Sequence, residues 1–237
     1  MIEPQISPYC GPLFFARSLE SAVGNIIANG SYGLIDTARK KLLVTCWHVW
    51  DEYRKLHERD SALRMLLCLD RNPPVVLDPV EPIGQDERLD IATFDLEPLQ
   101  GVLGDRRFYP LCQKPPPQVH VGDKLALIGY PGRFRHETDQ GVQFGRFAYG
   151  INVSDVSGQS LVADISQMRF IYDQEPKLEE PSQHGGISGS PCFLVRDKRP
   201  PQLVAFVTSV AVALNLLRLT SVLCLNPDGT IDGGNSR

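Results

Sequence analysis

Three short stretches of this 237-residue chain carry side chains whose types could act together. "LLVTCWHVW" at 42–50 follows an apolar run with His48, "RLDIATFDL" at 88–96 places Asp90 just ahead of another, and "HGGISGSP" at 184–191 sets Ser188 among glycines. Each alone has an ordinary explanation. A histidine after a strand commonly satisfies a structural hydrogen bond, an aspartate before a strand caps a turn, and small residues let the backbone bend at little steric cost. Together they supply what acyl transfer needs: a hydroxyl to attack, an imidazole to take its proton, a carboxylate to fix the imidazole tautomer, and backbone N–H groups for the oxyanion. The glycines then have a purpose. A tight loop presents Ser188 and brings the N–H groups of Gly186 and Ser188 to one point, an approach that a side chain at 186 would obstruct.

These groups must be carried by elements that hold them still. Short β-rich runs recur between turn signals: SYGLIDTA, KLLVTCW, RMLLCLD, DIATFDL, KLALIGY, QFGRFAYGINV, SLVADI, MRFIYD, SPCFLV and LVAFVTSVAV. Such spacing predicts an all-β sandwich or barrel with a few helices rather than alternating βαβ units. The clearest helix is DEYRKLHERDSALR at 51–64, where charged and apolar residues follow a helical period. Proline-rich patches at 71–82 and 113–118 suit barrel connections, and the second lies where two halves would join. The glycine-rich tail NPDGTIDGGNSR at 226–237 is expected to be mobile.

Composition narrows the function classes. A hydrophobic share of 42% supports a sizeable core, and a formal charge of -4 gives no broad attraction for nucleic acid or an anionic membrane. The first residues, MIEPQISPYCGPLFFARSLE, have no basic region leading into an apolar run, so they do not read as a secretory signal. The apolar stretch at 203–217 is interrupted by Thr208, Ser209 and Asn215 and falls short of the ~20 residues of a membrane span. A cytoplasmic location is the expectation. Cys10, Cys46, Cys68, Cys112, Cys192 and Cys224 are scattered, with no CxxC pair and no cysteine–histidine spacing suited to zinc. Cys46, Cys68, Cys192 and Cys224 lie in apolar runs and are expected as small buried hydrophobes.

The order His48, Asp90, Ser188 resembles that of the trypsin-like serine peptidases of the chymotrypsin fold. TCWHV resembles their strand-to-histidine motif, LDIATFDL their D-(I/L)-A motif and GISGSP their G-x-S-G-(G/S)-P motif, so the likeness covers most of the chain. VGDKLALIGYPG at 121–132 resembles a strand end of the bacterial, high-temperature-requirement-like branch, here without a PDZ domain. The resemblance implies two six-stranded antiparallel β-barrels, at about 20–112 with His48 and Asp90 and at 119–225 with Ser188. It implies an intracellular serine endopeptidase acting through an acyl-enzyme, with no metal or organic cofactor. Its alternative is a silent binding module that keeps the barrels. One departure stands out: Ile187 precedes the nucleophile where digestive members have an aspartate that pairs with a newly cut amino terminus, so that activation switch is absent.

By the same resemblance Ser182 lies at the base of the pocket for the residue before the scissile bond, and LVAFVTSV at 203–210 is the strand lining the cleft, with Thr208 and Val210 in contact with substrate. An uncharged base and a β-branched Val210 imply small or medium apolar residues, unless Glu179 or Glu180 takes that place. His184 either lines the pocket or satisfies a turn. His57, His120 and His136 receive no chemistry. The partners implied are a protein or peptide substrate and a regulatory protein that restrains the enzyme; nucleic acid and membrane are not among them.

Overall fold

Strands form where β-branched and apolar side chains run between turn residues. The computed structural model describes residues 2–17, 26–69, 73–77, 81–111, 116–132, 135–138, 141–170 and 185–233. The first half builds one sheet from β1 (Cys10–Ala16), β2 (Asn29–Asp36), β3 (Lys41–Thr45), β4 (Arg64–Leu67), β5 (Val75–Val76), β6 (Gly84–Asp86), β7 (Ile91–Asp95) and β8 (Tyr109–Pro110). Their order is β5-β4-β1-β2-β3-β7-β6, and β8 runs parallel to β2. The sheet wraps a core of Leu13, Phe15, Tyr32, Leu43 and Phe94, closed by Trp50 and Tyr53 from a helix.

The second half contributes β9 (Lys124–Gly129), the hairpin of β10 (Arg135–Thr138) and β11 (Gly141–Phe144), β12 (Phe147–Ser157), β13 (Ser160–Phe170), β14 (Pro191–Leu194), β15 (Gln202–Ala211) and β16 (Leu216–Ser221). Six of them close into an antiparallel barrel in the order β12-β13-β16-β15-β14-β9. Leu127, Ile151, Leu161, Val207 and Leu219 fill it. A further apolar cluster joins the halves, with Ile35, Leu42, Val44 and Ile91 packed against Ala126, Ile128, Phe193 and Phe206. The all-β architecture expected from the sequence is therefore present. Its second barrel closes, whereas the eight-stranded ladder of the first half stays open among the described residues.

Three local expectations are corrected. The first sheet begins at Cys10, not near residue 20, because CGPLFFA is a strand despite its Gly-Pro pair: Pro12 sits opposite Ser31 and its carbonyl accepts from Cys68 N–H at 3.0 Å. The helix runs over Trp47–Arg59 rather than 51–64, since Val49, Trp50 and Tyr53 already bury one face. It stops where Asp60 turns extended and its side chain takes the Ala62 N–H, leaving Arg64 to open β4. The tail is fastened as far as Asp232, with 234–237 outside the described residues: Leu225 bridges Ile231, the Cys224 carbonyl accepts from Asp232 N–H, and Thr37 Oγ1 donates to the Pro227 carbonyl at 2.6 Å.

Thr93 on β7 makes the deepest of these tail contacts. Its hydroxyl is fully buried, donates to the Gly229 carbonyl at 2.6 Å and accepts from Gly84 N–H at 3.0 Å. Thr93→Val keeps the shape but strands the Gly229 carbonyl, so stability should fall by about 1–3 kcal/mol. Urea unfolding checks this: the midpoint moves down at unchanged slope.

Candidate active site

Starting the helix at Trp47 puts His48 in its first turn, where backbone N–H groups have no partner within the helix. The extended N-cap residue, Cys46, makes no side-chain cap. Asp90 supplies the missing acceptor from a distant point in the chain. Its Oδ1 accepts the His48 backbone N–H at 2.9 Å and its Oδ2 meets His48 Nδ1 at 2.8 Å. The carboxylate thus caps the positive end of the helix and fixes the ring at once. With Nδ1 donating to the carboxylate, the lone pair of the neutral imidazole lies on Nε2. The ring is half exposed and Asp90 is partly covered.

Asp90 reaches this position at a local cost. It closes the turn between β6 and β7 with φ of 54°, a left-handed conformation that is uncommon for side-chain-bearing residues and is tolerated by aspartate. The turn is pinned from both sides. Asp86 Oδ1 accepts Leu89 N–H at 2.8 Å, and Thr220 on β16 donates to the Leu89 carbonyl at 2.6 Å. Thr220 was not evident from sequence, because a lone threonine in an apolar strand has no motif to mark it.

Ser188 lies on a compact bend between residue 185 and β14. Ile187 N-terminal to it is fully buried in the second barrel's core, so an apolar plug seats the bend where an aspartate ion pair would otherwise be needed. The Gly185 carbonyl accepts from Gly132 N–H at 2.8 Å and the Ile187 carbonyl from Ser190 N–H at 3.0 Å. In a trans peptide the C=O and the following N–H point in opposite directions. The amides of Gly186 and Ser188 therefore face away from these anchors, and among the described residues neither donates to a backbone carbonyl. Gly186 has φ of 100°, and a Cβ there would lie 2.6 Å from the Tyr130 carbonyl, so glycine is required by both conformation and space.

Among the described residues the Ser188 side chain makes no hydrogen bond to His48. Cys46 is fully buried and its thiol donates to the Val207 carbonyl at 3.1 Å. Burial first, and the Asp90 charge second, push its pKa well up, so it stays protonated. Cys46, His48 and Asp90 bring ligand-type atoms within 4.8 Å of one another, the described group most able to hold a metal ion. The His48–Asp90 contact of 2.8 Å is nevertheless shorter than the ~3.3 Å between two ligands on one tetrahedral zinc, and fits a hydrogen bond better.

Thr208 and Val210 lie on β15. Thr208 is buried with its hydroxyl donated to the Arg218 carbonyl at 3.1 Å, while Val210 is half-buried opposite Leu217. β14 pairs with β15 only as far as Phe206, so beyond Val207 that edge carries no strand among the described residues. Ser182, His184, Glu179 and Glu180 lie outside the described residues.

No family model matches the sequence, and no curated protein sequence is similar to it. Among solved structures the chain is similar to a thermostable serine protease, AL20, from an extremophilic microorganism, with a TM-score of 0.51 and 13% identity over 92% of this chain and 93% of that one. At that identity the likeness establishes the fold, a chymotrypsin-like one.

The raised thiol pKa gives a direct check on the site's interior. In the folded protein at pH 8, Cys46 should remain unmodified by iodoacetamide while the partly exposed Cys68 reacts. Peptide mapping by mass spectrometry reads the outcome, and prompt alkylation of Cys46 would mean the site is open from behind.

Proposed function

We propose that the chain is a serine endopeptidase that hydrolyses peptide bonds of protein substrates through an acyl-enzyme. The observation that carries this reading is the double grip of Asp90 on His48, made from a left-handed turn residue. Ser188 Oγ attacks the substrate carbonyl carbon as His48 Nε2 takes its proton. The oxyanion receives the N–H groups of Gly186 and Ser188. Collapse returns the proton from His48 to the leaving amine, and water, deprotonated by the same nitrogen, then releases the acyl group from Ser188. A turn about χ1 of Ser188 would bring its hydroxyl to His48, a tightening common when substrate binds.

The open edge of β15 suits an extended peptide, which would add a strand beside Thr208 to Val210. The β-branched, half-buried Val210 on β15 favours small or medium apolar residues at the primary pocket. Among the described residues Cys10, Cys46, Cys68, Cys192 and Cys224 carry reduced thiols rather than disulfides, which suits a cytoplasmic setting. Restraint by a regulatory partner, and kinship with the bacterial branch that VGDKLALIGYPG resembles, belong to the same proposal.

A second reading has one observation in its favour. With no hydrogen bond from its side chain to His48 among the described residues, Ser188 sits as it would in a latent enzyme or a barrel kept only for binding. Hydrolysis of an unfolded protein substrate separates the two. Ser188→Ala should lower kcat on the order of 10⁶-fold. Equal, low rates for wild type and variant would favour the binding role.

A further inference from the structure

Ser31, on β2 of the first sheet, makes two contacts with the bend that carries Ser188. Its hydroxyl donates to the Gly186 carbonyl at 2.8 Å, and its backbone N–H donates to the Ser188 carbonyl, also at 2.8 Å. Ser31 is fully buried, and its own carbonyl accepts the Thr45 hydroxyl at 2.8 Å, so it cannot drift. With Gly132 N–H on the Gly185 carbonyl and Ser190 N–H on the Ile187 carbonyl, four successive carbonyls from 185 to 188 are each claimed by a fixed donor. Since every peptide plane is rigid, fixing its carbonyl fixes the N–H beyond it.

Asn29, two residues earlier on the same strand, secures the neighbouring support. Its Nδ2 donates to the Tyr130 carbonyl at 3.1 Å. A Cβ on Gly132 would lie 2.5 Å from its Oδ1, and one on Gly186 would overlap its amide nitrogen. The side chain therefore fills the angle between the 130–132 segment and the bend. β2 thus holds the Gly186–Ile187 peptide through Ser31 and, through Asn29, braces the 130–132 segment whose Gly132 N–H holds the Gly185 carbonyl.

We infer that Ser31, supported by Asn29, is a positioning residue for the oxyanion site: it holds the Gly186 carbonyl away from the cleft so that the Gly186 and Ser188 amides face it. The inference rests on the peptidase reading above. Of the four anchored carbonyls, only that of Gly186 is held by a side chain, so it is the link that one substitution removes without touching the backbone. Freed, the peptide between Gly186 and Ile187 can rotate, and the flanking amides lose their aim.

The test is the second-order rate of phosphonylation by a fluorophosphonate across pH, on the full chain, because that reaction needs the oxyanion donors but no particular substrate. Ser31→Ala should lower the plateau rate roughly 10- to 100-fold, short of or equal to the loss of one oxyanion donor. The shape of the pH profile should match that of wild type, whereas general loosening of the fold would change it. If Ser31→Ala does not fold, Asn29→Ala, at a partly exposed position, should lower the plateau by about 3- to 10-fold. A folded Ser31→Ala that reacts as fast as wild type, or whose rate is recovered by raising the pH, overturns the assignment of Ser31 alone. No reaction of folded wild type, by contrast, brings down the peptidase reading and this inference with it.

Discussion

A bend wedged between two sheets must satisfy its own carbonyls with donors from its neighbours. The four carbonyls from Gly185 to Ser188 meet that demand with donors from the 130–132 segment, from β2 and from the bend itself. An unpaired buried carbonyl would cost about as much as a lost hydrogen bond, so the arrangement of the neighbouring elements is constrained by these partners. Much of the cleft follows from this. Gly132 must stay bare beside Asn29, Gly189 must stay bare beside Ser31, and Ile187 must be apolar because its side chain enters the second barrel.

The other half of the site is tied to the first sheet but adjusted by the second. Asp90 stands at the end of a turn whose Leu89 carbonyl is gripped by Thr220, and Cys46 beneath the helix start donates to Val207 on β15. Neither half holds its groups alone. The apolar cluster shared by Ile35, Val44, Ile128 and Phe206 keeps the sheets together, and polar bonds across the same seam set the finer alignment of His48, Asp90 and Ser188.

The pairing of His48 with Asp90, seen at 2.8 Å, was legible in the sequence because both lie in short motifs, while the part of Ser188 belongs to the proposal. The strands that alternate or run apolar, such as KLLVT and QLVAFVTSVA, were legible for a similar reason: burial on a pleated surface leaves a pattern. β1 was hidden by Gly11 and Pro12, which read as a turn, although the Tyr32 ring lies where a Gly11 side chain would go. The helix start was hidden because its cap is Asp90, more than one strand away in the chain. The tail looked mobile because its fastening depends on Thr37 and Thr93 in the first sheet. Ser31, Asn29 and Thr220 act on backbone carbonyls, a task many polar residues perform, so only their placement reveals them.

If Asp90 and His48 make Ser188 a nucleophile, a fluorophosphonate should single that residue out. One adduct per folded chain is expected, located on Ser188 by peptide mapping and lost when His48 is replaced by alanine. An adduct on any other serine, or none on folded wild-type protein, would contradict it.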